Sequence, residues 1–242
     1  TKRAIDFFFF NSEEYLRPSD QDTRTRILIF PGQFQPHGIT AALINLLTAL
    51  DDSKYDITLI VEPNRISADA DRIRQFERIP PNVRVLARTG GYAISLEERW
   101  AIDQFNKSNC LYSDAMEAVY TSALQREYCR LLGDVRFDVA IHYDGYGHLF
   151  TSLVGRIPER FETRKVIYQH NDMYEEWRTK YPSLAGTFFE YDRYDAIVSV
   201  AEKTLEVNRQ RLACRFGLRE DAFVYSENII DPRTIIARAG ES

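Results

Sequence analysis

Cysteine is scarce in this chain, and so are the usual short signatures of chemistry. Only Cys110, Cys129 and Cys214 occur in 242 residues, far apart and odd in number. Such a set builds neither a disulfide framework nor a zinc site, and it suits reduced thiols in a cytosolic protein. A basic excess is also missing: 31 Lys and Arg stand against 36 Asp and Glu. The chain therefore lacks the electrostatic footprint of a non-specific nucleic-acid binder, and no nucleic-acid partner is expected. The longest apolar run near the start, Ile5 to Phe10, is broken by Asp6 and is too short to span a bilayer. The sequence as it stands shows no signal-peptide pattern, heptad seam, low-complexity tract or repeat of 20–50 residues. No G-x-G-x-x-G fingerprint, P-loop lysine motif or G-x-S-x-G elbow occurs, which weakens a dehydrogenase reading and removes the common serine-hydrolase one.

What is present is an ordinary globular mixture, 44% hydrophobic and 28% charged, enough for one large α/β domain without disulfide or metal. Short apolar runs at 27–30, 55–61, 83–87, 137–143, 165–169, 196–200 and 223–225 read as strands. Between them, helical spacing of apolar residues predicts helices over 39–50, 68–79, 96–105, 113–132, 148–154, 172–179, 183–194 and 202–216. Ser67 is the expected cap of the second of these and Gly133 the stop after the fourth. Strands that read as continuous apolar runs are buried on both faces. The alternation predicts a doubly wound, mostly parallel Rossmann-like sheet with helices on both faces. All strand-to-helix loops then share the carboxyl edge, where open α/β sheets bind ligands.

The four histidines fall on that edge. His37 lies in the loop after the first strand, His142 and His148 flank the end of the fourth, and His170 directly follows the fifth. Each alone is more simply a satisfied structural histidine; together they suggest a polar pocket. The loop from Pro31 through Gly32, Gln33 and His37 to Gly38 opens a helix, so its glycines and free N–H groups can approach an anion, or it is only a tight turn. Asn171 and Asp172 follow His170, and either can be a helix cap. Asp144, Tyr146 and His148 stand among Gly145 and Gly147, a composition that suits a carbohydrate-contacting loop as well as a glycine-rich turn. The histidines with Asp144 and Asp172 have no metal-motif spacing, and no metal is expected.

At these residues the chain resembles the amino-terminal domain of GT-B glycosyltransferases, especially those similar to glycosyltransferase family 4. The likeness is carried by the opening strand with Gly32 to Gly38, and by Gly38, Ile39 and Thr40 through Leu46, Leu47, Leu50 and Asp51 to Lys54, Tyr55 and Asp56. That stretch is similar to the version in bacterial surface-polymer enzymes, teichoic-acid-type enzymes among them. Asp195 to Val200 resembles the family's last strand before a crossover helix, and Glu227 to Pro232, with Asn228 and Asp231, resembles its turn into the interdomain region. The first loop departs from the family in lacking an adjacent glycine pair.

The resemblance implies glycosyl transfer from a nucleotide-sugar to a carbohydrate or polymer acceptor, without cofactor or bound metal. It implies His170 as a cleft histidine contacting the sugar. It places Gly32, Gln33, His37 and Gly38 near the donor phosphates or the acceptor, and Asp144, Tyr146, His148, Asn171 and Asp172 on the acceptor side. It divides the chain into a lead-in over 1–25, the acceptor-side domain over 26–232 and the start of a linker or tail over 233–242. A donor-binding domain is expected after residue 232, so this chain alone is expected to be an incomplete, inactive half. The expected location is cytoplasmic, with peripheral association at the inner face of a membrane left open. Two rivals stay open: one half of a GT-B sugar-nucleotide epimerase, and a non-catalytic Rossmann-like binding module.

Overall fold

The computed structural model describes residues 21–230 together with Leu16 and Ser19. Most of the lead-in expected over 1–25, including Phe7 to Phe10, lies outside the described residues, as do Asp231, Pro232 and the tail over 233–242.

The elements run β1 (Thr25–Phe30), α1 (Gly38–Ala49), β2 (Tyr55–Val61), α2 (Pro63–Ile66), α3 (Ala70–Phe76), β3 (Arg84–Ala87), α4 (Leu96–Ser108) and α5 (Asp114–Leu132). They continue as β4 (Val139–His142), α6 (His148–Gly155), β5 (Arg164–Gln169), α7 (Met173–Thr179), α8 (Leu184–Phe189), β6 (Ala196–Ser199), α9 (Glu202–Asn208) and β7 (Phe223–Tyr225). Among the described residues seven strands form one sheet in the order β3-β2-β1-β4-β5-β6-β7, and every pairing is parallel.

Strand β1 shows why the sheet needs cover on both sides. Successive side chains point to opposite faces. Ile27 and Ile29 join Leu43, Ile44 and Leu47 of α1 in one cluster. Leu28 and Phe30 join Ala101 and Phe105 of α4 and Tyr120 and Leu124 of α5 in the other. The helix boundaries follow local chemistry. Ser95 and Glu98 form a reciprocal capping box at the start of α4. Ser113 caps α5 by accepting from Met116 N, and Gly133, with φ +63°, ends it.

Two expected helices come out differently. The single helix over 68–79 is divided. Pro63 starts the short α2, Ser67 closes that turn, and Asp69 rather than Ser67 caps α3 by accepting from Asp71 N at 2.7 Å. The helix expected over 183–194 ends at Phe189, and a 3-10 turn covers Tyr191–Arg193. Between them Glu190 turns inward to Arg156. The helix after β6 runs on through a π turn (Arg209–Ala213) to Cys214–Phe216.

The strand order reverses direction between β1 and β4. β2 and β3 lie on one side of that seam and β5 to β7 on the other. Loops leaving β1 and β4 must part there, which opens a crevice at the carboxyl edge.

Candidate functional site

A cavity of about 670 Å³ occupies that crevice. Its first wall is the β1–α1 loop. Phe34 sits at φ +55°, a conformation bulky residues seldom adopt, and its buried ring meets Phe76 edge-on at 5.6 Å. With Phe34 pinned inward, Gln33, Gln35 and His37 face the cavity. His37 is the N-cap residue of α1 but makes no side-chain capping bond, so the first-turn amides stay open to a ligand.

The floor comes from β4 and its loop. His142 ends the strand, fully buried, with Nδ1 3.0 Å from Thr151 Oγ1 of α6. Its Nε2 lies 2.6 Å from Asp144 Oδ1, although the ring N–H is angled off that oxygen. Tyr146 N donates to the same Oδ1 at 3.3 Å. Burial alone would raise the Asp144 carboxyl; the charge and hydrogen bond of His142 outweigh it and hold the group below its ordinary 3.8.

The far wall comes from β5 and the segment after it. His170 Nε2 donates to the Tyr143 carbonyl at 2.6 Å. A carbonyl only accepts, so the proton resides on Nε2 and Nδ1 is left as an acceptor. Burial pushes this imidazole below its ordinary 6.5, against the Tyr143 bond and the nearby Asp144. The Tyr146 hydroxyl donates to Glu176 Oε2 at 2.5 Å and accepts from Asn171 Nδ2 at 2.8 Å. Its ring meets Tyr181 edge-on at 5.8 Å. Burial, reinforced by Glu176, raises the Tyr146 phenol.

Of the residues singled out from the sequence, Gln33, His37, Gly38, Asp144, Tyr146, His170 and Asn171 line this one cavity. Gly32 lies behind it, packed on Asp144. Two others are elsewhere. His148 braces α6 against α8: its ring lies over Gly186 and 5.7 Å from Phe105, and Nε2 donates to the Ser183 carbonyl. Asp172 is a helix cap, accepting from Glu175 N at 2.9 Å and pairing with Arg211 at 3.3 Å. Sequence reasoning missed Glu176, Tyr181, Ser183 and Leu184, while Gln35 lies in the first loop and Thr40 and Asn228 in the stretches that carry the resemblance, none of them named as a site residue. The only signal for the 176–184 group is Pro182, which interrupts two helices beside the carboxyl edge.

Among the described residues the lining holds two carboxylates, Asp144 and Glu176, and neither lysine nor arginine. Amides and hydroxyls supply the rest of its polarity. This surface can exchange hydrogen bonds with a hydroxyl-rich ligand but offers a phosphate neutral donors only, from side-chain amides, hydroxyls, imidazoles and backbone N–H groups. Among the described residues no three His, Cys, Asp or Glu side chains gather as a metal site, and no helix is long and apolar enough to cross a membrane.

No protein-family model matches the chain. No curated protein matches its sequence either. Among solved structures, Alr3699/HepE from Anabaena, in complex with UDP and glucose, gives a TM-score of 0.50 at 10% identity over 86% of this chain and 45% of that one. UGT89C1 from Arabidopsis thaliana, complexed with UDP, gives 0.45 at 11% identity over 90% of this chain and 56% of its own. The chain thus spans about half the length of these proteins. At 10% identity the first likeness speaks for the fold alone, that of one Rossmann-like half of a GT-B architecture.

Proposed function

We propose that this chain is the acceptor-side half of a GT-B glycosyltransferase, moving a sugar from a nucleotide-activated donor to a hydroxyl-bearing acceptor. One observation carries the reading: a cavity at the sheet's switch point, lined by His37, Asp144, Tyr146, His170 and Asn171 and, among the described residues, by no lysine or arginine. Carbohydrate recognition needs this kind of surface, with aromatic rings for sugar faces and acceptors for hydroxyl hydrogens. In this reading His170 is the cleft histidine. Its neutral ring takes a sugar hydroxyl hydrogen on Nδ1 and orients the sugar instead of donating a proton. Asp144 and Asn171 accept further hydroxyl hydrogens. The diphosphate of the donor finds no cationic side chain among the described residues of this cavity, so its charge is met by the second half of the enzyme, without a metal.

The family 4 resemblance of the 32–56 stretch supports a finer assignment, to a hexosyl-type transferase of bacterial surface-polymer or teichoic-acid-type synthesis, working on the cytoplasmic side. Nucleotide-sugars assayed with this chain alone and with the longer parent protein test the reading. Transfer by the parent and almost none by the 242 residues is the expected result. Full activity from this chain alone contradicts it. An isomerised donor without transferred sugar assigns an epimerase. Unchanged turnover on a saturating small acceptor after His170→Ala in the parent assigns a binding module.

A further inference from the structure

We propose that His142, which does not itself reach the cavity, is the positioning residue that makes Asp144 a fixed anion presenting a single free oxygen to the ligand. The inference rests on the reading above, in which Asp144 accepts a hydroxyl hydrogen of the acceptor. A carboxylate on a glycine-flanked loop would otherwise rotate and offer either oxygen. Here Oδ1 is engaged twice, by His142 at 2.6 Å and by Tyr146 N at 3.3 Å. Oδ2 has no protein partner among the described residues, and Gly32 backs it from behind.

The ring that does this is itself held. Two bare acceptors would not approach to 2.6 Å, so Nε2 carries the ring hydrogen beside Oδ1, held there as a close polar contact with the N–H angled off the oxygen. On its other side Nδ1 meets Thr151 Oγ1 at 3.0 Å, and that hydroxyl lies 2.9 Å from the Gly147 carbonyl. The order of Asp144 is therefore traced through His142 and Thr151 to the first turn of α6. Phe150 of α6 flanks the ring at 6.4 Å, and Phe30 of β1 and Ile167 of β5 pair with residue 142 across the sheet. The ionisable neighbours in this corner are Asp144, His170, which senses both His142 and Asp144, and His37, which His170 also senses. An anion fixed in this way, in a lining whose described residues include no lysine or arginine, accepts a hydroxyl hydrogen and repels a phosphate.

The test is an NMR titration of the Asp144 carboxyl carbon in the ligand-free chain. In the wild type the midpoint should lie below 3.8. His142→Leu should move it up by about one unit or more, because burial is then opposed only by the Tyr146 N–H and His170. His142→Gln, whose amide reaches the same point, should restore most of the shift. A histidine that only fills space would leave the midpoint where it was, and that result overturns the proposal. Should His142→Leu fail to fold, the wild-type imidazole spectrum decides: a protonated Nε2 that shifts in Asp144→Asn supports the role, and an unprotonated Nε2 ends it. Binding of glucose, galactose and mannose, compared with their 1-phosphates, tests the underlying reading separately. If none of the free sugars binds, or the phosphates bind more tightly, the saccharide reading fails while the titration still judges His142.

Discussion

A Cβ placed on residue 32 would stand 2.5 Å from Asp144 Oδ2 and 2.7 Å from the Asp144 Cβ. The first loop and the fourth strand's loop therefore meet through a glycine with no room for a side chain, and Gly32 also sits at φ +86°. The glycine is needed here for contact as well as for backbone freedom. Gly32→Ala should cost about 1–2 kcal/mol from the left-handed conformation alone, and it should push Asp144 off its place beside His142. Urea unfolding should show the loss, and the carboxyl titration of Asp144 should shift upward in the same variant. A variant with wild-type stability and an unmoved titration would mean that the two loops are not in this contact.

Gly145 makes the harder collision. It sits at φ +74°, and an added Cβ would run into the backbone carbonyl oxygen of Tyr168 on β5, an atom that cannot swing away. Strain and overpacking together predict a loss of about 3 kcal/mol for Gly145→Ala. The damage should therefore exceed that of Gly32→Ala, whose obstacle is a side chain. Thermal unfolding of the two variants side by side checks the order.

Arg156 and Glu190 form an ion pair at 3.0 Å with both side chains fully buried. Burial raises the Glu190 carboxyl, while Arg156 pulls it down. Arg156→Met should cost about 3 kcal/mol at neutral pH, since it leaves the buried Glu190 with only the part-exposed Arg193, 3.3 Å away, as a cation. In that variant burial, opposed only by Arg193 and the Ser152 hydroxyl, favours a protonated Glu190 more than in the wild type. Folding then binds a proton the unfolded chain lacks, so the deficit should shrink as pH falls toward the ordinary carboxylate value of 4.5. Replacing both residues with Met and Leu should cost less than Arg156→Met alone. Urea midpoints at two pH values for the three proteins measure this, and a pH-independent deficit would refute the mechanism.

The sheet was legible in the sequence because buried parallel strands leave a mark that needs no partner to be read. Tyr55–Val61 and Phe223–Tyr225 match the expected runs residue for residue. Helix boundaries were less legible where two caps compete. Ser67 and Asp69 both suit a helix start, and only the geometry after Pro63 shows that the carboxylate takes the amide. The cavity's loops could be located because topology sends each of them to one edge. Glu176 and Tyr181 could not, since their place depends on how α7 turns after its cap at Asp172. His142 and His148 look alike in sequence, each beside the end of β4. One supports the floor of the cavity and the other braces two helices, a difference set by the pleat and by packing on Gly186. Phe34 at a positive φ left no sequence signal, because glycine is the usual residue there.

The His170 ring should make stability depend on pH in a defined direction. Burial lowers its folded-state value beneath the ordinary 6.5. Between that lowered value and 6.5 the unfolded chain binds a proton that the folded chain does not, so stability rises with pH across the window. Lowering the pH from 7.5 through 6.5 must therefore weaken the fold, with the loss levelling off once the folded ring also titrates. His170→Gln keeps a donor for the Tyr143 carbonyl but cannot bind the proton, so this part of the slope should vanish in the variant. His37, His142 and His148 are common to both proteins and largely cancel in the difference. Urea unfolding of the wild type and of His170→Gln from pH 7.5 to 5.5 should therefore show the wild type losing stability relative to the variant as the pH falls. Parallel curves would mean that the ring is not held neutral, and would remove the free Nδ1 acceptor from the proposed sugar contact.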